Sequence, residues 1–208
     1  MNIIKRKLAE NLRHPKGLFG WFIGQLMNHF NDGIIKQTVD LIPEENDQCI
    51  VEIGIGSGKA LQLANKKFPD ARLYGFDIST KMLKSAESRN KNAIKSGKLK
   101  LHLNPIENIP LSSESVDTLY TINTIYFWNN LDDSCQEVNR VLKKGGYFII
   151  SFNPKENIKK DLYPDDLFCF VSSDEVIKLV ERNGFEVILF KPFNDRYEKY
   201  ASLLAKKR

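Results

Sequence analysis

The sequence predicts an α/β chain with a mainly parallel sheet and helices on both faces. Three observations predict it. Short apolar runs alternate with amphipathic segments of helical period from Cys49 to Gly184. Val51-Glu52-Ile53-Gly54-Ile55-Gly56-Ser57-Gly58 reads as a buried strand, a tight glycine turn and a helix start. About twenty residues later Gly75-Phe76-Asp77-Ile78 reads as a second strand ending in an acid. One reversal is also expected within that sheet, because two strands follow one another near the C-terminal end with no helix between them. That requires a hairpin, and so one antiparallel strand.

Taken in order, residues 1 to about 42 read as helical and irregular. His14-Pro15-Lys16-Gly17 interrupts them, and Asp32-Gly33 precedes a helix running to Leu41-Ile42. Pro43-Glu44-Glu45-Asn46-Asp47 is a polar loop. Cys49 to Ile53 is a short apolar strand. Ser57 to Phe68 is a helix whose apolar positions are Leu61, Leu63, Ala64 and Phe68, and Arg72 to Phe76 is a strand. Ser79 suits the N-cap of a helix reaching about Lys95, with Met82, Leu83 and Ala86 facing inward. Leu99 to Leu103 and Val116 to Ile122 are strands. Asp132 to Leu142 is a helix, stopped by Lys143-Lys144-Gly145-Gly146, a basic end followed by glycine. Tyr147 to Phe152 is a strand. Ser172-Ser173-Asp174-Glu175 is a capping box opening a helix to Arg182, which Asn183-Gly184 ends. Phe185 to Phe190 and Tyr197 to about Ala205 are the last strands.

The 208 residues suit one domain, and 42% hydrophobic residues are enough for a core and too many for a disordered chain. The net charge of +5 reads as a lysine-rich surface with lysines scattered among acids, not as a nucleic-acid footprint. Cys49, Cys135 and Cys169 lie far apart with no C-x-x-C pair and no histidine nearby in sequence. Neither a metal site nor a disulfide scaffold is expected, and a reducing, cytoplasmic setting is. The start carries Lys5, Arg6, Lys7 and Glu10 without an apolar core, so no secretory signal is expected. Gly17 to Met27 is apolar but far shorter than the roughly 20 residues of a spanning helix.

A glycine turn after a strand lets backbone approach a ligand and aims helix N–H groups at it. Three readings compete. A phosphate-binding P-loop needs G-x-x-x-x-G-K-[ST]; Gly54 to Gly58-Lys59 is one residue short, and Ala60 cannot ligate magnesium. A dinucleotide fold needs G-x-G-x-x-G/A, and Lys59 occupies the third position. The remaining reading is E-x-G-x-G-x-G.

That pattern resembles motif I of the class I S-adenosylmethionine-dependent methyltransferases, and the resemblance extends from about residue 33 onward. Asp77 stands where the family's acid holds both ribose hydroxyls. Glu107-Asn108-Ile109-Pro110-Leu111 with Ser115-Val116-Asp117 resembles the family's entry to strand four. Val141-Leu142-Lys143-Lys144-Gly145-Gly146 resembles the turn before strand five. Asn123-Thr124-Ile125-Tyr126-Phe127-Trp128 is similar to the segment after strand four in the ubiquinone/menaquinone-biosynthesis-like (methyltransferase type 11) group.

The resemblance implies a Rossmann-like, seven-stranded sheet of order 3-2-1-4-5-7-6 with its last strand antiparallel. It implies an N-terminal helical lid over residues 1–42 and a cofactor-binding domain over 43–208. It implies S-adenosylmethionine as cofactor, S-adenosylhomocysteine as product, and no metal. The cofactor would meet Glu52, Gly54, Ile55, Gly56, Gly58, Asp77, Ile78, Met82, Asn104, Ile106 and Asn123. Glu52 would organise the methionine ammonium from beneath the loop, and Ile78 and Met82 would pack on adenine. One departure stands out. Asn104-Pro105-Ile106 occupies the place of the family's adenine-binding acid, and proline has neither carboxylate nor N–H. Adenine recognition then passes to the Ile106 backbone N–H, Asn104 or Glu107.

Methyl transfer is an in-line displacement, and only acceptors that must lose a proton need a base. Asn123, Tyr126 and His29 are the candidate catalytic residues, while His102, inside a strand, reads as structural. The expected acceptor is a small apolar or aromatic molecule. Gly17-Leu18-Phe19-Gly20-Trp21-Phe22 would close over it as a lid, or touch a membrane surface through its basic flanks. Two alternatives are kept: an RNA methyltransferase and a non-catalytic cofactor-binding regulator. Asn123-Thr124-Ile125-Tyr126 departs from the [DNS]-P-P-[YFW] run of N6-adenine enzymes, and no cysteine sits beside the site for C5 chemistry.

Overall fold

The computed structural model describes residues 31–45, 47–158, 169–194 and 199–208. Its elements are α1 (Asp32–Asp40), β1 (Cys49–Ile53), α2 (Lys59–Lys67), β2 (Arg72–Asp77), α3 (Thr80–Arg89), α4 (Lys91–Lys95), β3 (Leu99–Leu103), β4 (Val116–Ile122), α5 (Leu131–Val141), β5 (Leu142–Phe152), α6 (Ser173–Arg182), β6 (Phe185–Asn194) and β7 (Lys199–Lys207). Single 3₁₀ turns lie at Ile125–Phe127 and Lys155–Asn157.

The strands form one sheet of order β3-β2-β1-β4-β5-β7-β6. The first five pair in parallel, and β7 runs antiparallel to both β5 and β6. Both faces are covered, which is why β1 is buried at every position. On one face Ile50, Leu73, Leu99, Tyr120 and Ile149 meet Ile35 and Val39 of α1, Leu61 and Ala64 of α2, Ala86 of α3 and Ala93 of α4. On the other, Val51, Phe76, Leu119, Phe148 and Ile150 meet Cys135, Val138 and Val141 of α5 and Val176, Leu179 and Val180 of α6. The expected order and the single reversed strand are what the sheet has.

Several local boundaries differ from the expectation, among them the helix expected from Ser57, which starts at Lys59, and the last strand, which runs to Lys207. The helix expected over Ser79 to Lys95 is two helices, because Asn90 turns its amide inward to Gly58 O (3.0 Å) and Ala86 O (2.9 Å). Ser79 is the N-cap as expected, its hydroxyl accepting from Met82 N. The helix after β4 begins at Leu131, since Asn130 caps it through Asp132 N and Asp133 N. Lys143-Lys144-Gly145-Gly146 is part of β5, not a stop between helix and strand: Leu142 already pairs with Val116, and the register shifts before Thr118. Finally, β6 continues past Phe190 to Asn194, paired along its length with β7.

Two further features bear on the site. Helix α1 docks through a buried polar set: Thr38 Oγ1 donates to Ser151 Oγ (2.6 Å), Gln37 Nε2 donates to Ser202 Oγ (2.8 Å), and the two serine hydroxyls share a 2.8 Å bond. The charge is also less evenly spread than its interspersed look implies. Residues 81–100 hold seven basic residues and one acid, so the remaining 188 carry 24 basic and 25 acidic. This segment forms α3, α4 and the edge strand β3, where Lys98 and Lys100 are exposed; lysines on an edge oppose pairing with another strand.

Candidate functional site

Gly54 to Gly58 turns the chain from β1 into α2 at the carboxyl edge of the sheet. The backbone N–H groups of Gly54 and Ile55 donate to Phe76 O at 2.8 and 3.3 Å, so the end of β2 anchors the turn. Gly54 has φ +70°, and a carbon added there would lie 2.2 Å from Thr124 Cγ2. Room expected there for a ligand is therefore occupied by Thr124, and the glycine lets the end of β4 press onto the turn. Gly56 differs. Its φ is +50°, and an added carbon would meet nothing within 4 Å. The open space of this turn lies over Gly56. Ile55 is buried on the α1–α4 face, and Gly58 is the N-cap of α2, packed against Ala86 and Asn90.

Two carboxyl groups lie under and beside the turn. Glu52, at 2% exposure, accepts a 2.9 Å hydrogen bond from the Tyr120 hydroxyl, and its strand register places it opposite Tyr120. The Leu61 backbone in the first turn of α2 also favours its charged form. Burial nevertheless pushes the Glu52 carboxyl well above its ordinary range, and the charge of Asp77 adds to the rise. Asp77, at 9% exposure, accepts from Gly56 N through Oδ2 (3.0 Å) and from Ser79 N through Oδ1 (2.8 Å). Burial raises its pKa against these bonds. A backbone hydrogen bond from Ile78 also favours the charged form, so three backbone groups hold this carboxylate beside the turn.

Ile78 and Leu103, at the carboxyl ends of β2 and β3, are 46% and 54% exposed. Exposed apolar groups of this size beside a polar turn suit the face of a flat ring. Met82 is half-buried on α3. Beyond β3, Pro105 O accepts from Asn108 N at 3.3 Å and the Ile106 side chain is buried in the core. Asn104 is half-buried, and Glu107 accepts from Asn129 N at 3.1 Å. An ion pair on α5 fixes this loop. Glu137 accepts from Ile109 N (2.8 Å), while Arg140 donates to Ile109 O (2.9 Å) and Leu111 O (3.0 Å). Glu137 is held below the usual carboxylate range by Arg140.

At the end of β4, Asn123 has φ +55°, a left-handed conformation that asparagine tolerates better than most residues. Its N–H donates to Ser151 O at 2.8 Å and its Nδ2 to Asn31 Oδ1 at 3.3 Å. Tyr126 is 7% exposed and its hydroxyl reaches Asn123 Oδ1 at 3.2 Å. Its ring packs edge-on against Phe127 and lies 5.4 Å from that of Phe170. Thr124 Oγ1 bonds to Thr121 Oγ1 and accepts from Trp128 Nε1 at 3.2 Å. Tyr126 and Trp128 thus belong to the core, with polar ends at the site. His29 and His14, and the Gly17 to Phe22 segment with its lid and membrane readings, lie outside the described residues.

His102 stacks on Phe76 with centroids 5.2 Å apart, and burial lowers its pKa. Burial pushes the Cys49 thiol up to about 11 and that of Cys135 to about 12, so neither is a ready nucleophile. Among the described residues no group of three His, Cys, Asp or Glu side chains is arranged to hold a metal, and no helix is long and apolar enough to cross a membrane. Sequence reasoning missed Tyr120, Thr124 and the Glu137–Arg140 pair. Only strand pairing and helix packing bring them to the turn.

The cofactor implied by the resemblance fits these residues. The space over Gly56, the Asp77 carboxylate beside it and the exposed Ile78 suit a sugar with an attached base. Comparison with known proteins agrees. A methyltransferase-domain family model matches residues 51–150. An uncharacterised methyltransferase, YdaC, of Bacillus subtilis is 28% identical over 184 residues, which are 88% of this chain and 97% of the relative. The demethylmenaquinone methyltransferase of Thermotoga maritima is 25% identical, over 73% of this chain and 76% of its own. The structure of geranyl diphosphate C-methyltransferase from Streptomyces coelicolor, in complex with Mg2+, geranyl diphosphate and S-adenosylhomocysteine, superposes with a TM-score of 0.74 at 14% identity, over 87% of this chain and 82% of that one.

Proposed function

The chain belongs to the class I S-adenosylmethionine-dependent methyltransferases, in their type 11 group, and from that premise we propose that it methylates a small, neutral, apolar or aromatic acceptor. The observation that carries the acceptor class is the end of β4. From Thr118 to Leu131 no residue is charged. The site there offers an asparagine amide, bonded to a tyrosine hydroxyl and backed by buried rings. Such a surface binds a neutral ring or chain with one polar atom more readily than a phosphate or a fixed charge. The Thermotoga relative, named for demethylmenaquinone, supports the same class.

On this reading Asp77 accepts both ribose hydroxyls, Gly56 leaves room for the ligand, Glu52 stabilises its ammonium end from below, and Ile78 with Met82 covers adenine. Asn104 and the Ile106 N–H face the adenine edge. When bound, the cofactor supplies a methyl group on a sulfonium that needs no further activation. Ordering by the protein can then carry up to roughly 7–11 kcal/mol of the barrier. Asn123 orients the acceptor's polar atom.

Two measurements test the proposal in sequence. Thermal unfolding with S-adenosylmethionine, S-adenosylhomocysteine, NAD and ATP should show stabilisation by the two sulfur compounds alone. At 100 times Kd the shift should be roughly 5–10 °C. A panel of quinols, phenols, amines and RNA with methyl-labelled cofactor should then give product only among the small neutral acceptors. Product confined to RNA or to permanently charged acceptors would overturn the acceptor class.

A further inference from the structure

Asn31 occupies the N-cap of α1, where an asparagine oxygen ordinarily accepts an N–H from its own helix. Ser79, Asn130 and Ser172 cap α3, α5 and α6 in that way. Asn31 makes no such bond. Its Oδ1 instead accepts from Nδ2 of Asn123, 92 residues away in sequence. A local rule broken where the chain reaches a site is a mark of function.

The other end of the same carboxamide is also held. The Asn153 N–H donates to the Tyr126 hydroxyl oxygen. The hydroxyl also lies within donating distance of Asn123 Oδ1 and of Asn153 O, each at 3.2 Å. Tyr126 thereby joins the ends of β4 and β5. With Oδ1 turned to Tyr126 and Nδ2 turned to Asn31, the amide has one orientation. Its backbone is fixed as well, by the bond to Ser151 O.

We infer that Tyr126 and Asn31 are positioning residues that clamp the Asn123 carboxamide from its two ends, and that Tyr126 does not itself act on the acceptor. Asn31 immediately precedes α1, so the clamp also ties the site to the point where residues 1–30 join the described fold. The consequence for turnover rests on the reading of Asn123 as the acceptor-facing group. The clamp can be tested without turnover.

The probe is protein labelled with 15N-asparagine and saturated with S-adenosylhomocysteine, with the Asn123 side-chain signals assigned by their loss in Asn123→Ala. Tyr126→Phe keeps the buried ring. Asn31→Ser keeps a good cap residue but is too short to reach Asn123. Both should speed exchange of the Asn123 amide protons by about ten-fold or more, the loss expected when a buried hydrogen bond opens. Affinity for S-adenosylhomocysteine should stay within about three-fold, since neither residue is assigned to the cofactor. Asn31→Ser should melt no lower than the wild type, because serine restores the helix cap. With any acceptor found in the panel, both variants should lower kcat with little change in KM for the cofactor, and the pH profile should keep its shape. Unchanged Asn123 exchange in the folded variants would overturn the clamp, and loss of one limb of the pH profile in Tyr126→Phe would restore a catalytic tyrosine. An intact clamp in a protein that methylates nothing neutral would count against the acceptor class alone.

Discussion

Tyr120 and Glu52 face each other across adjacent strands, and the phenol donates to the carboxylate at 2.9 Å with both side chains buried. The pair lies directly under the first turn of α2. A carboxylate in this place is favourable toward a cation above it and costly without one, because burial opposes its charge.

Glu52→Gln should therefore stabilise the ligand-free protein and weaken cofactor binding. The amide oxygen can take the Leu61 N–H, and the amide NH₂ can donate to the Tyr120 oxygen. At neutral pH the expected gain is about 2–4 °C in Tm, the shift roughly 1 kcal/mol gives a chain of this length. The pH dependence follows from the raised pKa. The folded state binds a proton that the unfolded state has released, so wild-type stability falls as pH rises from about 4.5, the unfolded value, toward the folded pKa. The difference between wild type and variant should grow across that window. Differential scanning fluorimetry from pH 4 to 8 checks it, and a variant less stable than wild type at pH 7.5 contradicts it.

The two neighbouring glycines should respond differently. Gly54→Ala meets Thr124 Cγ2 and should cost about 3 kcal/mol or more, from overpacking plus a left-handed alanine. Thr124→Ser removes the clashing methyl and keeps the hydroxyl, so it should recover part of that loss. Gly56→Ala meets no atom and should cost only the backbone strain of about 1–2 kcal/mol. Its larger effect should be on S-adenosylhomocysteine binding. Denaturant melts and calorimetry separate the two outcomes.

Asp77→Ala should reduce cofactor affinity by at least about ten-fold, since two hydrogen bonds to a charged group are worth roughly 1.5–3 kcal/mol each. Part of the loss will come from the Gly56 N–H, which Asp77 now holds. Unchanged calorimetric affinity in the folded variant would sink the ribose assignment.

Arg140→Ala should loosen the loop after β3 without unfolding the sheet. It removes donors from Ile109 O and Leu111 O and the partner of Glu137. Because the pair is partly exposed, the expected cost is about 1–2 kcal/mol, or roughly 3–6 °C. Hydrogen exchange should rise at residues 105–113 and stay unchanged in β1 and β4. Uniform faster exchange would show that Arg140 supports the whole fold.

Much of this protein is legible in its sequence because the relevant physics is local. The alternation of apolar runs and helical periods required a parallel sheet covered on both faces. The succession of Phe185–Phe190 and the last strand required one reversal, which β7 makes. The glycines between Ile53 and Lys59 marked the turn, and Ser79 and Ser172 marked helix starts through side chains that reach only three residues. What lies across the sheet was not legible. Asn90 splits a helix because Gly58 O is beside it, and Leu142 to Gly146 joins a strand because Val116 is there to pair with.

The same division holds at the site. The order E-x-G-x-G-x-G followed by Asp77 was enough to point to the family and so to its cofactor class, since the turn itself is built from neighbours in sequence. Only the tertiary structure decided which glycine leaves open space and which is filled. It also decided that Glu52 answers to Tyr120 and that Asn123 is held between Asn31 and Tyr126. These relationships join residues 68 and 92 positions apart, and in Tyr126 a hydroxyl whose partner Asn153 lies just past the end of β5. Local sequence encodes backbone turns and faces; the partners of a buried polar group are chosen by the register of the sheet and by the helix laid over it.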